Sequence, residues 1–202
     1  MSGLSTQTGD PPRAEDSKAI ARARVSAFLS ALPPELNTRD DAMERELTNA
    51  NASTKAKLGK LYLFLAEVGR TAEPYVACRK GCSACCRMDV SITAPEAERL
   101  AALSGRRMRR PEVRMPSDSR RYLGTPCPFL VSDSCSVYEA RPFACRAHFS
   151  FDTSAYWCQP ERAFDEDMPM MEMGGAKKAY VNLATSSPFG GFADIREFFD
   201  AA

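Results

Sequence analysis

Residues 78–86, CRKGCSACC, hold four cysteines in nine positions: Cys78, Cys82, Cys85 and Cys86. A disulfide needs Cα atoms roughly 4.4–6.8 Å apart with converging side chains, and a knot of thiols this tight converges more naturally on a shared metal. Soft thiolate sulfur selects zinc, copper(I) or iron–sulfur clusters over magnesium or calcium. The C-x3-C-x2-C spacing of Cys78, Cys82 and Cys85 lets thiolates surround one centre while backbone N–H groups point at the sulfurs. Gly81 gives the loop freedom to wrap, and Arg79, Lys80 and Arg87 can offset the charge of a thiolate cage. Neighbouring side chains diverge in an extended segment but both turn inward in a tight turn. Cys86 is therefore either a fourth ligand or reaches a second site.

The chain has 8 cysteines, the other four being Cys127, Cys135, Cys145 and Cys158. Eight thiols match two four-cysteine sites, or one site with spare reactive thiols. The N-terminus lacks a basic n-region followed by an apolar run, and no window reaches about 18 apolar residues. A soluble, cytoplasmic chain is expected, in which thiols stay reduced and clustered cysteines mean metal or redox chemistry. With 27 basic and 26 acidic residues the net charge is +1, which gives no global attraction to nucleic acid or a membrane. One local basic patch remains, formed by Arg106, Arg107, Arg109, Arg110, Arg114, Arg120 and Arg121. It reads as a contact for phosphate or an acidic protein, or as a solvated loop without interleaved aromatics.

The expected fold is mainly α with irregular loops: an N-terminal helical hairpin plus a small, metal-stapled cysteine-cluster domain. Residues 1–13 read as a flexible tail, 14–75 as the hairpin, 76–160 as the cysteine-cluster domain and 161–202 as a C-terminal extension. Val25, Phe28, Leu29 and Leu32 make one apolar helix face, ended by Pro33 and Pro34. A longer helix is expected from about Thr38, with Leu47, Leu58, Leu61, Leu65 and Val68 inward. The two form an antiparallel hairpin or an arm for a protein partner. Asn51-Ala52-Ser53 makes a glycosylation sequon, without meaning in a cytoplasmic chain.

Beyond the first cysteines, residues 90–92 read as extended, followed by a helix with a Thr93–Glu96 capping box, Pro95 in its first turn and Gly105 past its end. A short helical turn around Tyr138 must end near Pro142. Phe129, Tyr138, Phe143, Phe149, Phe151, Tyr156 and Trp157 are expected to shield the centre from water. His148, the chain's one histidine, lies three residues after Cys145 and suits either a metal ligand or a packed, hydrogen-bonded ring. Met168, Met170, Met171 and Met173 offer thioethers for copper(I), or flexible apolar packing. The segment 193–202 reads as a short helix.

With CRKGCSACC, CPFL (127–130), CSVYEARP (135–142) and FACR (143–146) in view, the chain resembles the CxxCxxCC, or YkgJ-like, cysteine-cluster family of zinc- or iron-chelating domains over about residues 78–146. One departure is that three residues, not two, separate Cys78 from Cys82. The resemblance implies chelation by Cys78, Cys82, Cys85, Cys86, Cys127, Cys135 and Cys145. It implies zinc or iron; four grouped thiolates flanked by cations and enclosed by aromatics point to an iron–sulfur cluster, of the 4Fe-4S kind, ahead of zinc. Tyr138, Glu139, Arg141 and Arg146 look like outer supports: Glu139 and Arg141 can pair, and Arg146 can neutralise thiolates.

A binding or electron-transfer module leads the functional readings. The chain shows no Ser/His/Asp set, Gly-rich phosphate loop or HExxH to support a catalytic constellation. A metal-dependent enzyme related to flagellin lysine methylases, which carry a similar motif, rests on analogy. A metal carrier or storage protein is the third class, and would yield its metal to a modest chelator. The C-x3-C-x2-C of radical S-adenosylmethionine enzymes is a poor match, because those carry it early in a β/α barrel.

Overall fold

The computed structural model describes residues 12–112, 120–186 and 190–201. Most of the tail at residues 1–13 and Arg114 of the basic patch lie outside these. The architecture is mainly helical with irregular loops and few strands, as expected. Seven α-helices run in order α1 (Ala14–Ala31), α2 (Pro34–Asn49), α3 (Thr54–Ala72), α4 (Ala94–Ser104), α5 (Phe143–Ala147), α6 (Gly174–Thr185) and α7 (Ile195–Phe198). Four two-residue strands, β1 (Ser91–Ile92), β2 (Leu130–Val131), β3 (Ser134–Cys135) and β4 (Ala193–Asp194), form two small antiparallel pairs, β1 with β4 and β2 with β3.

The first helix ends where expected, but Pro34 opens α2 instead of merely breaking the chain, since its missing N–H costs nothing in a first turn. The helix expected from Thr38 is two helices. Ser53 starts α3 by accepting a hydrogen bond from Ala56 N–H at 3.3 Å, so the chain breaks between Asn49 and Thr54. Phe28 on α1 and Leu32 just past its end are buried, whereas Leu29, expected on the same face, is 48% exposed. The small residues Ser17 and Ala21 occupy the buried stripe instead.

Two apolar cores divide the molecule. The larger joins Phe28, Leu47, Leu61, Phe64, Leu65 and Val68 of the first three helices with Phe143, Phe149, Phe151, Ala176 and Tyr180. The smaller gathers Val90, Ile92, Ala97, Leu100, Cys127 and Phe129 with Ala193, Ile195, Phe198 and Phe199. Residues 161–202, expected as an extension, thus contribute to both cores: α6 packs on α2, and β4–α7 lies beneath the cysteines.

Asp40 explains the α2–α6 packing. Its carboxylate, 8% exposed, accepts from the Gly175 and Ala176 N–H groups at 3.0 and 2.8 Å, which satisfies the open end of α6 from a different helix. A Cβ on Gly175 would lie 1.7 Å from the Asp40 carbonyl oxygen. Gly175→Ala is therefore expected to destabilise the protein by about 3 kcal/mol or more, because backbone must move. Urea denaturation checks this, and an unchanged midpoint would refute the close approach.

Candidate metal centre

The four clustered cysteines sit on turns. Gly81, at φ 91°, reverses the chain so that Cys82 N–H donates to Arg79 O at 3.0 Å. Residues 84–87 then form one 3-10 turn, which brings Cys85 and Cys86 to the same side. That resolves the position of Cys86: it lines the same cavity as Cys78, Cys82 and Cys85. The β2–β3 hairpin delivers Cys135 opposite Leu130. Its two turn residues, Ser132 and Asp133, both have positive φ (48° and 54°), the twist a two-residue hairpin loop requires. Cys127 is held to the first cluster by its N–H, which donates to Cys86 O at 2.7 Å. Cys145 arrives on α5, started by Pro142.

All seven cysteines expected from the resemblance line one cavity of about 50 Å³, with Val90, Phe129, Val137 and Ile195 as apolar wall. They come from four separate stretches of chain. Among the described residues no three His, Cys, Asp or Glu side chains stand close enough together to hold a metal ion as they are placed. The thiols share a cavity; they are not gathered on a point.

Burial raises the pKa of Cys78, Cys135 and Cys145 and pushes Cys127 up to about 11. Cys85 is raised first by its hydrogen bond with the Cys86 thiol and then by burial. Three sulfurs accept backbone N–H groups that act the other way: Cys127 from Phe129, Cys135 from Val137, and Cys78 from Ser150 at 3.3 Å. The spacing placed such N–H donors within residues 78–86, whereas these three donors all lie in the second half of the chain. Soft donors, N–H groups on sulfur and a dry wall fit a thiolate-bound zinc or iron centre.

Arg141 is the cation that favours ionised Cys78, Cys85, Cys135 and Cys145. Its Nε donates to Tyr138 O at 3.0 Å and its guanidinium lies 3.6 Å from the Tyr138 ring centre, which aims it at the cavity both residues line. Of the other expected cations, Arg79 also lines the cavity. Arg146 donates to the Arg141 and Glu139 carbonyls and lies over the Tyr62 ring, so it ties the chain around Cys145. Arg87 pairs with Asp133 at 3.6 Å, and Lys80 faces the Tyr138 ring at 6.0 Å. Among the described residues Glu139 and Arg141 form no ion pair; Glu139 contributes its carbonyl.

The expected aromatic shield is smaller than its residue list. Phe129 and Tyr138 wall the cavity, whereas Phe143 stacks on Tyr180 at 4.1 Å and Phe149 and Phe151 pack toward Phe28 in the helical core. Two arginines of the basic patch bind within the chain. Arg106 donates to the Pro128, Asp200 and Ala201 carbonyls, and Arg109 pairs with Asp200 at 2.8 Å. His148 is packed, but its Nε2 is buried without a hydrogen-bond partner and the residue lines the cysteine cavity. Burial lowers its pKa, which favours the neutral imidazole. Cys158 does not line that cavity, yet it shares Ser150 with Cys78 and its pKa is raised to about 11 by burial.

Arg196 was not visible as a site residue. It is 8% exposed, and its Nη1 donates to both Asp194 carboxylate oxygens, at 2.9 and 3.1 Å. Its remaining donors meet Thr125 O at 2.6 Å, Met88 O at 3.0 Å and Cys86 O at 3.3 Å. Asp194 also accepts from Val90 N–H at 2.6 Å. One buried guanidinium thereby joins the loop after Cys86 to the loop before Cys127, a task that needs Arg's planar fork. Arg196→Met is expected to destabilise the protein by about 3–5 kcal/mol, because Asp194 is left buried and unpaired. Denaturation midpoints test this, and a change below about 1 kcal/mol would refute the clamp.

A mainly helical scaffold with a cavity walled by seven cysteines defines a thiol-rich, metal-chelating class of domain. Residues 77–161 match the CxxCxxCC family, described as a "putative zinc- or iron-chelating domain". No curated protein and no solved structure matches the chain. Among the described residues no helix is long and apolar enough to cross a membrane.

Proposed function

We propose that the chain holds an iron–sulfur cluster in the cysteine cavity and serves as a cytoplasmic binding or electron-transfer module. The observation that carries this reading is the convergence of Cys78, Cys82, Cys85, Cys86, Cys127, Cys135 and Cys145 on one cavity from four stretches of chain. A single structural zinc takes four ligands, so seven thiols point to a centre with more than one metal. The N–H groups on three sulfurs, the Arg141 guanidinium and the apolar wall are the features by which a protein sets a cluster's potential. Tyr138 and Arg141 support the cavity side by side, while Glu139 and Arg146 brace the turn between Cys135 and Cys145.

The test is purification without oxygen, followed by a visible spectrum and measurement of iron, zinc and acid-labile sulfide per chain. A brown protein with stoichiometric iron and sulfide supports the cluster. A colourless protein with one or two zinc ions would overturn it in favour of a structural or carrier role.

A further inference from the structure

Four buried side-chain atoms among the described residues lack a hydrogen-bond partner: Arg99 Nε, His148 Nε2, Asp152 Oδ2 and Trp157 Nε1. Three of these residues, His148, Asp152 and Trp157, line one further cavity of about 170 Å³. Buried polar groups in folded proteins are almost always paired, so orphans around a single space mark a site whose partners come from outside the chain. The space far exceeds the roughly 10–15 Å³ that one water needs.

The chemistry of the lining specifies the occupant. Asp152 is 3% exposed; its Oδ1 accepts from Thr153 N–H at 2.7 Å and its carbonyl from Arg24 at 2.8 Å. Its Oδ2 is left without a donor. Glu166, also at the cavity, is held by Lys18 at 2.8 Å, and Arg24 is engaged by the Asp152 carbonyl rather than its carboxylate. A ligand must therefore bring its own positive donor to Asp152. The Trp157 indole N–H is a donor only and asks for an acceptor. Met88, Phe149, Phe151 and Met168 supply apolar wall for a carbon skeleton.

We propose that this cavity binds a small organic ammonium compound that also carries a hydrogen-bond acceptor, with the ammonium on Asp152 Oδ2 and the acceptor on the Trp157 indole N–H. The site adjoins the cysteine cavity. His148 lines both, and Ser150 bonds Cys78 on one side and Cys158 on the other. The proposal does not depend on which metal the cysteines hold.

The chain has 1 tryptophan, so Trp157 reports on its own cavity. The metal-loaded protein is titrated with ethanolamine and with 4-aminobutanol, following tryptophan fluorescence and the indole N–H resonance. Ethylene glycol and 1,4-butanediol serve as matched neutral probes. A saturable response to the amines alone is expected, weakened at least about tenfold by Asp152→Asn with metal per chain unchanged, a tenfold change being one lost charge-assisted contact. Trp157→Phe, followed by calorimetry, is expected to weaken amine binding while leaving metal content intact. No saturable response would mean a water-filled cavity only and overturn the proposal. So would equal responses to the diols, or full affinity in Asp152→Asn. Metal content, measured on the same samples, keeps this result separate from the fate of the cluster.

Discussion

Cys85→Ser is expected to strip most of the metal from the purified protein, and Cys82→Ser to do the same. Cys85 stands beside Cys86 on the 3-10 turn and faces the cavity that Cys127, Cys135 and Cys145 also line. A serine hydroxyl in its place is a hard, weak ligand that does not ionise near neutral pH. The loss should exceed the roughly 10- to 100-fold in affinity that even an outer hydrogen-bonding partner of a metal ligand is worth. Metal analysis after equilibration with a chelator gives the result. Cys158→Ser is the comparison, expected to keep its metal because Cys158 lies beside the cavity and not in its wall. Full metal retention in both Cys82→Ser and Cys85→Ser would sink the assignment of the first cluster as the ligand source.

The second large effect concerns a residue that touches no thiol. Glu96, 1% exposed, accepts from the Tyr62 hydroxyl at 2.7 Å, Thr93 N–H at 2.9 Å, Phe143 N–H at 2.7 Å and the Tyr180 hydroxyl. One carboxylate therefore joins α3, α4, α6 and the start of α5, the helix that carries Cys145. Burial and the Glu96 charge both raise the pKa of Tyr62 and Tyr180, which stay protonated donors. Glu96→Ala leaves these donors buried without an acceptor, at about 1–3 kcal/mol each. A loss of at least about 4 kcal/mol is expected, a large part of a typical stability of 5–15 kcal/mol. Glu96→Gln should cost about half as much, since it keeps one carbonyl acceptor. Chemical denaturation of both variants decides the matter. An alanine variant within about 1 kcal/mol of the natural protein would show that the hub carries no net stability.

Glu96 also shows how far local reading reaches. The capping box with Thr93 was legible, and the structure contains it, with Thr93 accepting from Glu96 N–H and Glu96 accepting from Thr93 N–H. The αL glycine at the end of α4 was legible too: Gly105 has φ 71°. Both are contacts between residues close in sequence, where backbone geometry leaves few choices. Tyr62 and Tyr180 on the same carboxylate, by contrast, lie 34 and 84 residues from Glu96. No spacing rule connects them.

The same division runs through the candidate site. The density of residues 78–86 and the CPFL, CSVYEARP and FACR segments determined by themselves that this is a thiol-rich, metal-chelating domain on a mainly helical chain, because ligand type and short loop spacing are properties of local sequence. Only the tertiary structure decided how the cations sit against the sulfurs. Arg79, Lys80, Arg87, Arg141 and Arg146 are alike on paper, and packing against the Tyr138 ring aims Arg141 inward while Arg146 turns to backbone carbonyls. Only the fold, likewise, places Arg196 against the loops of Cys86 and Cys127, more than a hundred residues from the first of them, and sets Asp152 and Trp157 around a second cavity. Burial is the physical reason. A charge or an orphaned donor has consequence only where water is excluded, and which groups lose their water is settled by how distant segments pack.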